Sequence, residues 1–321
     1  MGVFKEATEP KVGKNTLVVH AEEGWLNQLH QGSHRFFEKI GHAAQARGQE
    51  TLFVHEHDVL SLALRQSDCT HLMMNLKPFP GANMFHTQPC YIPGFWYLDP
   101  KGFYWNSSVL EKEFDPETID ALKAREFFYG VRGHKLGHNV SKWSQPPRGS
   151  VKLSTADVAV FVQDLEKYDK KVFHLTTEKI IHNASRAAKG KVYVKLHPLL
   201  RPEQVERVTE QCDSRSNVEL VDASIHDLIA VSQIIVSQNS AVGFEALMQK
   251  KAVLTCAKCD YHHATLVCKT GRDLRENIAA APEHFRSFDF EKYFYWFLAQ
   301  NMLEPQKDNF EERAMRILYG E

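Results

Sequence analysis

Apolar runs alternate with amphipathic stretches along most of the chain. Residues 15–20 (NTLVVH) read as a strand, and residues 24–47 carry Leu26, Leu29, Phe36, Phe37, Ile40 and Ala44 at helical spacing. Gly48 stops that helix, and residues 50–55 (ETLFVH) begin a second strand. A strand, a helix and a strand in this order imply parallel pairing. Residues 58–65 predict a short helix and 71–76 a strand, whereas 77–94, rich in Pro and Gly, predict a long loop. Residues 115–129 open with Asp, Pro and an acidic turn, the pattern of a helix start. Residues 130–154 are polar, contain Pro146-Pro147 and have little periodicity, which predicts an interdomain linker.

The alternation restarts beyond it. Residues 157–163 predict a strand, 176–189 a helix, 192–195 a strand, 202–212 a helix, 218–221 a strand, 224–232 a helix and 233–236 a strand, followed by a helix from Ala241. This is the order of a doubly wound parallel sheet. The expected fold class is therefore α/β, with two Rossmann-like domains at 1–150 and 151–290. Two helical segments near the C-terminus follow, and residues 291–321 are expected to pack back across both domains.

Composition narrows the function classes. The chain has 321 residues, 43% hydrophobic and 25% charged, enough for two sizeable cores. No run approaches the roughly 18 apolar residues of a membrane span, and residues 1–14 lack the apolar core of a signal peptide. The expectation is a cytoplasmic protein, with peripheral attachment to the inner membrane face left open. A net charge of −1 with both signs interspersed argues against a nucleic-acid partner. Six scattered cysteines fit reduced thiols. Cys256, Cys259, His262, His263 and Cys268 admit either a zinc site or buried thiols at a strand end, the spacing of the second ligand pair being non-standard.

Chemistry concentrates in residues 192–252. Pro198 ends a strand and leaves His197 at its carboxyl edge, with Lys195, two positions earlier, on the same face. The run 233–236 ends in Ser237-Gln238-Asn239-Ser240 before a helix. Ligands of open α/β sheets bind outside the carboxyl ends of the strands, and hydroxyls, amides and an imidazole there suit a phosphate. The same Ser and Asn residues also serve as helix caps. Glu22-Glu23 at the first strand's end admit two readings, a catalytic acid or a charge favouring the helix N-terminus. Residues 95–108 (FWYLDPKGFYWNSS) combine aromatic rings with Asp, Asn and Ser, which suits either a sugar face or a core.

These residues resemble a family. His197-Pro198 and Ser237-Gln238-Asn239-Ser240, with the following Gly243-Phe244-Glu245-Ala246-Leu247, look like the HP and Ser motifs of bacterial capsule polysaccharide biosynthesis proteins. That group includes the Kdo transferases, which use CMP-activated 3-deoxy-manno-octulosonic acid; similar motifs hold the CMP phosphate and ribose in bacterial sialyltransferases. The resemblance implies a GT-B architecture with a cleft between two domains, a donor site of Lys195, His197, Pro198, Ser237, Gln238, Asn239, Ser240, Gly243 and Glu245, and a glycan or glycolipid acceptor on the N-terminal half. Residues 98–108 look more loosely like an N-domain motif of the same proteins, which nominates Asp99 and Tyr104 for the acceptor. Asp164 is the positional match to a proposed nucleophile, with Asp169 as runner-up, and retention or inversion stays open. His197 is expected to donate a hydrogen bond to the leaving phosphate, with the imidazolium as one form of the donor. No cofactor and no metal ligand is implied; the CMP-sugar is the substrate. A CDP-polyol phosphotransferase, a nucleotide-sugar epimerase and a non-catalytic capsule assembly or export factor are the competing readings.

Overall fold

The helical pattern of residues 24–47 folds as two helices, α1 (Glu23–Gln31) and α2 (Arg35–Ala46), in the computed structural model, which describes residues 2–320. Gly32 breaks them at φ +62°, closing α1 with its N–H on last-turn carbonyls, and a Cβ there would stand 3.0 Å from the Cα of Gly2. His34 starts α2 by accepting the Phe36 N–H on Nδ1 at 3.3 Å. Both helices keep one apolar face on the same core, so periodicity alone runs through the break.

That core lies on a sheet of β1 (Lys5–Glu6), β2 (Thr16–Ala21), β3 (Glu50–His55), β4 (Thr70–Met73), β5 (Met84–Pro89) and β6 (Trp96–Asp99), ordered β1-β3-β2-β4-β5-β6. Every pair is parallel except β5–β6. Asp58 caps the short α3 (Val59–Leu64). The expected loop at 77–94 is thus corrected: it contains β5, whose buried His86 and Thr87 interrupt the apolar signal and whose Pro89 sits at the strand's last position. Trp96 of β6 stacks on Phe36 at 4.2 Å between ring centroids.

The second sheet follows α4 (Ala121–Gly137) and comprises β7 (Ala156–Phe161), β8 (Val192–Lys195), β9 (Val218–Leu220), β10 (Ser232–Ser237), β11 (Ala252–Thr255) and β12 (Leu266–Val267). The connecting helices are α5 (Thr177–Ala187), α6 (Pro202–Asp213), α7 (Ile225–Val231), α8 (Ala241–Leu247) and α9 (Gly271–His284). All pairs are parallel in the order β12-β11-β10-β7-β8-β9. Chain direction across the sheet reverses between β7 and β10, the doubly wound arrangement with its switch point there.

The compact units divide elsewhere than composition suggests. One comprises residues 1–90, 94–111 and 301–321, the other 91–93 and 112–300. The polar stretch 130–154 is not a linker: α4 runs through its first third and buries Phe128 edge-on to Phe294 at 5.4 Å. Of the C-terminal segment, α10 (Phe290–Phe294) and the π turn Tyr295–Gln300 pack on Phe244, with Phe294 and Phe297 at 5.2 and 4.7 Å. The last helix, α11 (Phe310–Tyr319), instead joins the first unit, Phe310 meeting Phe36 at 5.6 Å. Among the described residues no helix is long and apolar enough to cross a membrane.

Candidate active site

Residues 139–149, though irregular, are pinned to α7 and α8 by specific bonds. The Ser224 hydroxyl donates to Asn139 Oδ1 at 2.9 Å, the Ile225 N–H to Gln145 Oε1 at 2.8 Å, and His226 Nε2–H to the Val140 carbonyl at 3.0 Å. Ser141 donates to the buried Glu245 carboxyl at 3.0 Å, and Asp227 accepts from Arg148 and the Gly149 N–H. This strap carries Lys142 and Trp143 to the carboxyl edge of the second sheet, where the Trp143 ring stands edge-on to His197 at 5.9 Å.

The loops after β7, β8 and β10 meet at that edge. Gln163 spans the switch point: its Oε1 accepts the Asn239 N–H at 2.9 Å and its Nε2 donates to Asn239 Oδ1 at 3.4 Å. Asn239 in turn donates to the Lys258 carbonyl at 2.9 Å. Asp164, its side chain 12% exposed, accepts from Gln204 Nε2 at 2.6 Å and faces Lys167 Nζ at 3.4 Å. Two partners on opposite oxygens fix this carboxylate and keep it within reach of solvent. Asp169, the alternative, caps a turn by accepting the Lys171 N–H at 2.9 Å and is exposed.

His197 accepts the Leu199 N–H on Nδ1 at 3.2 Å, so the ring proton is on Nε2 and that edge is a donor. Burial, then Lys142 and Lys167, hold its pKa below the usual 6.5, while Asp164 pulls the other way. The expected imidazolium is accordingly a neutral Nε2–H donor flanked by two lysines. Lys195 is spoken for differently: its ammonium pairs with Asp222 at 2.5 Å, and Pro198 is exposed beside it on the loop.

The Ser-rich turn is largely internal. Ser237 and Gln238 are buried, Gln238 donating to the Leu175 carbonyl at 3.0 Å. Ser240 caps α8 by accepting the Val242 N–H at 3.2 Å, which leaves its O–H free to donate, and its carbonyl accepts from Tyr261 at 2.7 Å. Gly243 is required by packing: a Cβ there would lie 2.8 Å from the Tyr261 hydroxyl and 3.1 Å from Ser237 Oγ. Glu245 does not reach a ligand surface; it is 1% exposed, and burial pushes its pKa up to about 8. It organises the strap instead.

The acceptor candidates fare differently again. The two oxygens of Asp99 take the N–H groups of Lys101, Gly102 and Ser108 and the hydroxyls of Ser107 and Ser108, so the carboxylate is saturated by its own loop. Tyr104, at φ +54°, donates to the Pro89 carbonyl at 2.8 Å. The cysteines of the alternative zinc reading are buried free thiols; His262 bonds the Cys259 carbonyl, and among the described residues these groups form no metal-ligand cluster. Gln163, Lys142, Trp143, Lys167 and Gln204 are absent from the motif-based expectation, since amides and lysines on irregular segments carry no spacing signal.

No family model matches the sequence, and no curated protein matches it. Solved structures do. The beta Kdo 2,7 transferase of Thermosulfurimonas dismutans KpsC superposes with a TM-score of 0.52 at 15% identity, covering 94% of this chain and 98% of that one. The beta Kdo 2,4 transferase of the same organism's KpsC gives 0.50 at 15% identity over 88% and 98%. At this identity the likeness establishes the fold alone: a mixed α/β chain with two parallel-dominated sheets, as in these Kdo transferases. The UDP-GlcNAc 2-epimerase of Methanocaldococcus jannaschii, at a TM-score of 0.37 and 12% identity, is too remote to add to that.

Proposed function

We propose that this protein is a glycosyltransferase that uses a CMP-activated acidic sugar of the Kdo type in capsular or surface polysaccharide biosynthesis. The observation that supports it is the pairing, at the switch-point edge of the second sheet, of an oriented carboxylate with an anion-seeking cluster: Asp164 held by Gln204 and Lys167, beside the Nε2–H of His197. In this reading the donor phosphate lies against His197, Lys142 and Lys167, with the Ser240 hydroxyl and Asn239 bordering the other side. Asp164 attacks the anomeric carbon, forming a C–O bond as the bond to CMP breaks, and the leaving phosphate's charge is met by the His197 donor and the lysines. An acceptor hydroxyl then displaces Asp164: its oxygen bonds the anomeric carbon as the bond to Asp164 breaks, its proton passes to solvent, and the carboxylate is restored. The first unit is proposed to bind the glycan or glycolipid acceptor, in the cytoplasm and peripheral to a membrane assembly complex.

Thermal melting with CMP, CDP and UDP tests this. CMP raises the melting temperature, because a ligand of the native state stabilises it by mass action. His197→Ala abolishes that rise, whereas Asp164→Asn keeps it and loses turnover. Stabilisation by UDP in preference to CMP, or by no nucleotide, overturns the proposal.

A further inference from the structure

The first sheet has its own reversal of chain direction, between β2 and β4, and three polar side chains meet beside it that the donor site does not use. Glu22 follows β2, and Glu56 and His57 follow β3 directly. Glu22 stands at the start of α1, yet its side chain makes no capping bond. One ligand atom from each of Glu22, Glu56 and His57 lies within 4.8 Å of the other two.

Glu56 makes this more than an acidic surface. Its side chain is 3% exposed; Oε1 accepts from Asn75 Nδ2 at 2.9 Å and lies 3.3 Å from His57 Nε2, while Oε2 is buried with no hydrogen-bond partner among the described residues. A buried carboxylate with an orphaned oxygen beside a second carboxylate costs free energy that a cation removes. Two ligands bound at about 2.1 Å to one ion stand about 3.0–3.4 Å apart at octahedral to tetrahedral angles; the 3.3 Å between His57 Nε2 and Glu56 Oε1 falls in that interval, and bidentate ligation would bring the orphaned Oε2 onto the same ion. Glu22 and His57 are exposed and closer approach needs only their side-chain rotation. Asn75 supplies the outer hydrogen bond that orients a ligating carboxylate.

We propose that Glu22, Glu56 and His57 bind one divalent transition-metal ion at the carboxyl edge of the first sheet. One imidazole and two carboxylates suit Mn2+ or Zn2+ better than Ca2+, which takes oxygen ligands alone. The site is independent of the CMP-sugar reading, because none of its residues takes part there.

The test uses the full chain, stripped with a chelator and titrated with Mn2+ and with Zn2+ by calorimetry, with melting temperature as a second readout. One equivalent binds and raises the melting temperature. Glu56→Gln and His57→Ala each weaken binding 10-fold or more, while Cys259→Ser leaves it unchanged. His57 is exposed, so His57→Ala stays folded even if the buried Glu56 variant does not. Absence of stoichiometric binding, or binding unchanged in His57→Ala and Glu22→Ala, overturns the site and shows Glu56 and His57 to be an ion pair only.

Discussion

Replacing Glu245 by Gln isolates the electrostatic cost of the carboxyl that secures the strap. In the folded protein burial moves this group from 4.5 to about 8, with Ser141, Lys135 and Lys142 opposing the rise. The unfolded chain releases the proton near 4.5, so between those values the folded state holds more protons than the unfolded one. The contribution is therefore fully present below pH 4.5 and is lost as pH rises to 8. At about 1.36 kcal/mol per unit, the whole window is worth roughly 5 kcal/mol, of which about 2.5 kcal/mol falls between pH 5 and 7. Gln keeps the shape and the acceptor for the Ser141 hydroxyl and has no proton to lose. Urea denaturation of both proteins at pH 5, 6, 7 and 8 measures this. The stability of the wild type relative to Glu245→Gln declines steadily over the series, and the variant is the more stable at pH 8. Two curves that stay parallel would mean that Glu245 ionises normally, and the account of the strap as anchored on a neutral carboxyl would be wrong.

Other consequences follow from the same geometry. CMP binds more tightly as pH falls from 8 to 6, because an anion beside His197 favours protonation of an imidazole whose pKa burial and two lysines hold below 6.5; calorimetry measures this, and the pH dependence is absent in His197→Ala. Gly243→Ala forces Tyr261 or Ser237 to move and costs about 1–3 kcal/mol in urea unfolding; a loss below about 0.5 kcal/mol would show that the pocket yields. His20, buried between Ser61 Oγ at 2.9 Å and His71 Nδ1 at 3.0 Å, is lowered to about 3 by burial, then His71 and Arg65. The unfolded state takes up this proton first, so stability falls as pH drops from 6.5 to 3, and His20→Asn flattens that acid limb in the same titration.

Motif residues were legible where backbone chemistry forces them. Pro198 cannot continue a strand, which places His197 just beyond the end of β8 at Lys195, and Ser240 before an apolar helix is readable as a cap. Glu245 misled because a carboxylate in a motif looks exposed until the neighbours that bury it are known. Asp99 misled for a related reason: its five donors come from residues that only the folded loop brings within reach. The strap was invisible as such, since Asn139, Ser141 and Gln145 bond to residues about 80 to 100 positions away.

The α/β class and the strand–helix alternation of the parallel second sheet were determined by the chain's own periodicity, which is local and survives without partners. Tertiary structure alone decided where the units divide, that α11 belongs with the N-terminal core, and which polar groups are buried, oriented or left reachable. Those outcomes depend on contacts between residues distant in sequence, and burial sets the charge state of a carboxyl or an imidazole only once such contacts exist.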